Sequence, residues 1–236
     1  MSANIYTHQD SNIWKTWVLM ALFFSLIIIL GWLISNLYND TAILYIAIFL
    51  AVFMNIFSYW FSDKIVLKLH KAREVSREEY FDLWNATENL SITAGLPMPR
   101  LYIVEDEAPN AFATGRDKKH AVIAVTTGLV KILDKNELEG VSAHELSHIG
   151  NRDMLLSTVV VVMVGFVALL SDFFLRSHIL GGDRNRNNNG AAILLVIGLI
   201  LAILTPIAAT LIRLAISRKR EFLADATGAL LTRYPE

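Results

Sequence analysis

The chain has 236 residues, of which 54% are hydrophobic and 18% charged, with a formal net charge of −1 and a mean hydropathy of +0.46. The apolar share lies above the roughly 45–50% of ordinary soluble domains, and the near-neutral charge gives no electrostatic basis for binding nucleic acid. Cysteine is absent, which excludes disulfides and thiol chemistry.

The apolar residues are clustered. Residues 16–39, 41–62, 154–171 and 187–212 contain no Asp, Glu, Lys or Arg. Each has an apolar core near the roughly 17–25 residues that a helix needs to cross a bilayer. Four transmembrane helices are therefore expected. The competing reading, buried core helices of a soluble protein, would require more polar structure around them than so short a chain supplies. The first apolar run is longer than the roughly 7–15 residues of a signal-peptide core and lacks a small-residue cleavage pattern, so it is expected to stay as the first span. Trp14, Trp17, Trp32 and Trp60 lie near span ends, where aromatic belts form. Asp172 is expected at the far interface of the third span, and Pro206 is expected to kink the fourth.

Lys and Arg are distributed unevenly. The link at residues 39–40 has none and the polar loop at 177–190 few, whereas residues 63–153 carry Lys64, Lys68, Lys71, Arg73, Arg116, Lys118, Lys119 and Arg152 among others. Cytoplasmic segments retain such an excess. Both termini and the middle region are expected on the cytoplasmic side, of a bacterial inner membrane.

Residues 63–73 read as an amphipathic extension of the second span. Ser76 and Glu79 have the spacing of a capping box and predict a helix from Ser76 to about Gly95. Short β-branched runs at 101–104 and 121–126 predict strands, with residues 111–114 pairing to the second through the turn at 115–119. Asp134 and Glu137 form a second capping-box pattern, which opens a helix through His148 that ends near Gly150. His8, His70, His120 and His178 lack ligand-like spacing and read as ordinary surface residues.

On that last helix lies His144-Glu145-Leu146-Ser147-His148. Side chains at i and i+4 share a helix face, so both imidazoles can reach one metal ion. Glu145 then stands beside the metal, placed to take a proton from water whose pKa zinc lowers to about 7. Catalytic zinc takes a third protein ligand. Glu221 and Asp225, again at i and i+4, follow the fourth span, and topology returns them to the membrane side of His144. One carboxylate can bind metal and the other can accept from a ligating histidine. By spacing alone the pair reads equally well as a solvated acidic face opposite Arg218–Arg220. No phosphate-binding P-loop occurs, so no nucleotide is expected.

The stretch from Ala143 to Asp153, a transmembrane hairpin, and then Ser217-Arg218-Lys219-Arg220-Glu221-Phe222-Leu223-Ala224-Asp225-Ala226 together resemble the HtpX-type membrane metalloproteases. Pro109 to Gly115 resembles the segment that this family places before its active-site helix. The resemblance implies a gluzincin-like site holding one Zn2+ per chain, with His144, His148 and Glu221 as ligands, Glu145 as general base and Asp225 behind a ligand. Asn110, Ala111, Phe112, Ala113 and Thr114 would form an edge strand to which an extended substrate adds itself. The implied activity is cytoplasmic hydrolysis of misfolded or damaged membrane proteins, or of unfolded polypeptide. Family members usually continue beyond the end of this sequence, so a further segment is expected after Glu236.

The expected architecture is an α-helical membrane protein with a small α+β zincin-like catalytic domain. Residues 1–62 form a first transmembrane hairpin, 63–153 the catalytic region, 154–214 a second hairpin and 215–236 the third-ligand helix. The competing function is a catalytically silent membrane scaffold that retains a metal site, although a scaffold has no use for Glu145. A metal transporter would need polar residues inside the spans, which are nearly bare of them.

Overall fold

The computed structural model describes residues 5–180, 198, 202, 210 and 218–233. Three helices among them are long and apolar enough to cross a membrane, at Ile13–Asn36, Thr41–Leu69 and Met154–Asp172. They match the first three expected spans, the first of them ending at Asn36 and not at Asn39. The fourth, at 187–212, and the polar loop before it lie almost wholly outside the described residues. By its contacts the chain divides into two compact units.

One unit comprises Val18–Ser58 and Val160–Ala215. Helices α1 (Ile5–Tyr38) and α2 (Thr41–Leu69) meet in it through a turn at Asn39, whose φ is +49°. The Asp40 side chain accepts from the Ala42 N–H at 2.9 Å and so satisfies a free donor at the start of α2. Gly31 is where α1 and α2 approach most closely among the described glycines, since a Cβ there would run into the Ala47 Cβ. Small residues at such crossings let backbones come together without a hydrophobic force between helices in lipid.

The other unit comprises Met1–Trp17, Tyr59–Val159 and Ile216–Glu236. Its centre is a four-stranded sheet in the order β1-β2-β4-β3, built from β1 (Arg73–Glu74), β2 (Arg100–Val104), β3 (Ala111–Thr114) and β4 (Val122–Thr126). β2 and β4 run parallel, while β1 and β3 are antiparallel edges. On one face Leu101, Ile103, Ile123 and Val125 pack against α3 (Phe81–Ala94) and α5 (Lys135–Asn151). On the other, Val104, Val122 and Ala124 pack against Leu67, near the end of α2. β4 is therefore covered on both faces and reads as the unbroken run Val-Ile-Ala-Val-Thr. Between β4 and α5 lies α4 (Thr127–Ile132), capped by the Thr126 hydroxyl; α6 (Met154–Leu180) and α7 (Arg218–Thr232) complete the described helices.

The capping box on Asp134 and Glu137 forms in full, so α5 begins where its sequence predicts. It also ends near Gly150, as expected: Asn151 is its last residue, and Arg152, at φ +56°, makes the left-handed turn. The helix predicted from Ser76 begins one turn later, at Phe81. Glu79 does reach back to the Ser76 N–H at 3.3 Å, but it is also held by Arg73 at 2.9 Å, and residues before Phe81 form turns. Gly95, at φ +63°, closes α3 as expected.

Gly115 carries the chain from β3 into the turn before β4, at φ +141°, and a Cβ on it would lie 2.5 Å from the His120 carbonyl oxygen. Gly115→Ala is therefore expected to lower stability by about 1–3 kcal/mol, read as a lower midpoint of thermal unfolding in detergent; an unchanged midpoint would mean that the turn relaxes freely.

Candidate metal centre

α5 presents His144 and His148 from consecutive turns, their rings 4.8 Å apart between centroids and nearly perpendicular at 83°. The two Nε2 atoms face each other at 3.1 Å. Glu221, on α7, brings Oε2 to 3.4 Å from the His144 Nε2 and 3.8 Å from the His148 Nε2. All three ligand-type atoms fall within 4.8 Å of one another.

The outer nitrogens decide what this cluster can hold. The His144 Nδ1 lies 2.8 Å from Asp225 Oδ1, and the His148 Nδ1 lies 3.1 and 3.2 Å from the two carboxylate oxygens of Asp153. A carboxylate can only accept here, so each Nδ1 carries the proton and donates it. In the neutral rings both Nε2 atoms then point lone pairs into one small space, beside a carboxylate oxygen. Such a convergence is repulsive unless a proton or a metal cation occupies it. Zinc with ligand bonds of about 2.0–2.2 Å in a tetrahedral arrangement separates its ligands by roughly 3.3–3.5 Å, close to the spacing of these three atoms. The donor set fits zinc in chemistry and in size.

α7 reaches the pair by close packing. Glu221, Ala224, Asp225 and Gly228 recur at helical spacing on one face. Ala224 is fully buried, and a Cβ built at Gly228 would stand 3.4 Å from the His144 backbone nitrogen. These small residues let α7 lie on α5 closely enough for two acidic side chains to meet two histidines.

Glu145 is buried beside the cluster. Burial pushes its carboxyl above the ordinary range, while His148, His144 and a hydrogen bond from the Ala113 backbone N–H act in the opposite direction. Burial likewise disfavours the imidazolium of His148, but the hydrogen bond and charge of Asp153 outweigh it and leave that group's pKa raised. β3 stands next to α5 as the sheet's outer strand. Thr126 N–H donates to the Asn110 carbonyl at 2.9 Å, so the antiparallel alternation turns the N–H and C=O groups of Ala111 and Ala113 away from β4.

The structure therefore brings His144, His148, Glu145, Glu221 and Asp225 together and sets residues 110–114 along their flank. Asp153 is not among the residues that the sequence singles out. It lies past the end of α5, beyond any helical periodicity, and only the left-handed turn at Arg152 folds it back under His148. An acidic residue just beyond an H-E-x-x-H helix is the one available signal.

A helix bearing H-E-x-x-H beside a carboxylate from a later helix is the arrangement of a gluzincin-type metallopeptidase. The chain belongs to Peptidase family M48, whose model matches residues 80–235. It is 46% identical over 237 residues to the Protease HtpX homolog of Thermoanaerobacter pseudethanolicus, covering 98% of this chain and 79% of that protein. It is 54% identical over 177 residues to the Protease HtpX homolog of Tropheryma whipplei, covering 75% of this chain and 60% of that one. The Pyrococcus furiosus Protease HtpX homolog is 48% identical over 221 residues, covering 94% of this chain and 74% of its own length. With its apolar helices, the protein is a membrane-bound metalloendopeptidase by family.

Asp153 is 4% exposed at its side chain and Asp225 64%. Asp153→Asn is therefore expected to weaken zinc binding by about 10–100-fold in chelator competition, and Asp225→Asn by less, because solvent can replace the exposed partner. Equal losses for the two would show that burial does not set the strength of these contacts.

Proposed function

We propose that the protein is a zinc-dependent endopeptidase acting at the cytoplasmic face of a bacterial inner membrane, on misfolded or damaged membrane proteins. The observation that carries this reading is the convergence of two imidazole nitrogens and one carboxylate oxygen within 4.8 Å, beside a buried glutamate. His144, His148 and Glu221 would hold the metal, with Asp225 and Asp153 orienting the histidines.

When bound, zinc supplies Lewis acidity, making water acidic enough to lose a proton near neutral pH and drawing electrons from the scissile carbonyl. Glu145 takes the proton from the attacking water as the new bond to the carbonyl carbon forms. It then returns a proton to the amide nitrogen as the C–N bond breaks, so the carboxylate ends the cycle as it began. The Ala113 N–H holds that carboxylate in position. An extended peptide adds to β3 through the outward N–H and C=O of Ala111 and the C=O of Ala113, within the span of Asn110, Ala111, Phe112, Ala113 and Thr114. The excess of Lys and Arg in residues 63–153 supports the cytoplasmic orientation.

The test is a pair of variants measured for zinc and for casein hydrolysis in detergent. Glu145→Gln is expected to keep about one zinc per chain and lose roughly 10²–10⁴-fold in kcat. Glu221→Ala is expected to lose zinc as well. Hydrolysis by Glu145→Gln at the native rate would refute the mechanism, and full zinc occupancy in Glu221→Ala would remove Glu221 from the ligand set.

A further inference from the structure

The end of α2 carries a feature that peptide hydrolysis does not use. α2 has 29 residues; at about 1.5 Å each it extends some 43 Å, against roughly 30 Å of hydrocarbon in a bilayer. Its aromatic residues Tyr59, Trp60 and Phe61 give way to Lys64 and Lys68, and Lys71 follows in the turn past its end. Aromatic rings of this kind mark the interface, so the lysines, the two on α2 about 6 Å apart along its axis, begin at the depth of the lipid phosphates.

These lysines border an open, shallow recess of about 650 Å3, lined also by Leu67, Ala72 and Tyr102. All three are exposed, and none forms an ion pair among the described residues. Asp63 and Glu74 have other partners: Asp63 pairs with Arg100 at 3.4 Å, and Glu74 accepts from the Tyr102 hydroxyl at 3.0 Å. Lys71, at φ +52°, makes the left-handed turn that closes α2, its N–H on the Lys68 carbonyl at 3.1 Å and the Ala72 N–H on the Leu67 carbonyl at 2.8 Å. A lysine held there brings a third ammonium to the recess. Stabilisation of the α2 dipole accounts for Lys68 in the last turn, and topology signalling needs charges only in number. Neither accounts for the gathering of three exposed lysines around one recess.

We propose that this recess, formed by Lys64, Lys68 and Lys71 over Leu67, Ala72 and Tyr102, binds the phosphate headgroup of an anionic phospholipid. Cationic side chains next to a transmembrane helix attract such headgroups, and the apolar floor accommodates the glycerol end of the lipid. The site lies on the face of the sheet opposite α5. Leu67 and Ala72, which line it, belong to the same apolar cluster as Phe112 of β3, and the His70 ring lies 5.1 Å from that of Phe112.

The experiment uses the full chain, purified in neutral detergent, with phosphatidylglycerol or phosphatidylcholine titrated in and retained lipid counted by native mass spectrometry. The native protein is expected to keep one phosphatidylglycerol in preference to phosphatidylcholine. Lys64→Gln/Lys68→Gln/Lys71→Gln is expected to weaken that retention by about tenfold or more, whereas the triple arginine variant keeps it; zinc content reports that each variant is folded. Equal retention of the two lipids, or of phosphatidylglycerol by the native and glutamine proteins, would overturn the proposal. So would lysine-dependent binding of inorganic phosphate or an acidic peptide without binding of phosphatidylglycerol. The readout is lipid retention, so a failed peptidase assay leaves it untouched.

Discussion

Everything at the metal centre depends on how closely α7 lies on α5. The two helices meet through Ala224 and Gly228, side chains too small to hold the backbones apart. That approach carries Glu221 to the open Nε2 atoms and Asp225 to the outer nitrogen of His144. Larger residues on this face would leave two histidines on a helix surface and two acids in solvent. The cation-accepting cluster is a product of packing first and of ligand chemistry second.

The sheet supplies the second constraint. Because β4 is covered on both faces and paired along both edges, β3 has only one edge left, and that edge runs beside α5. The same strand donates the Ala113 N–H to the Glu145 carboxylate and presents the remaining outward groups to solvent. On the proposed function, substrate position and base orientation would both be tied to this single strand of four residues. A peptide bound along it would be in register with the group that moves its proton, without any further element to align them.

α2 joins two environments in one continuous helix. Most of it is apolar enough for lipid, while its last turns supply Leu67 to the underside of the sheet. Burying that end fixes β2 and β4 from below, and the lysines that interrupt it remain exposed. The helix can therefore anchor the sheet while its lysines stay in solvent.

Patterns confined to one element are readable from the residues alone. The apolar lengths of the first three spans, the capping box at Asp134, the strands at 100–104 and 122–126, and the shared face of His144 and His148 all follow from local spacing and local hydrogen bonds. The start of α3 departs from its sequence pattern because the capping pair at Ser76 shares its glutamate with Arg73, a partner no spacing rule includes. Whether Glu221 and Asp225 are a solvated face or neighbours of the histidines cannot be decided by i, i+4 spacing, which is the same in both cases. Only the approach of α7 to α5 placed them, and only the left-handed turn at Arg152 brought Asp153 under His148. Periodicity encodes which side chains share a face, whereas which faces meet depends on volumes and turns distributed over the whole chain.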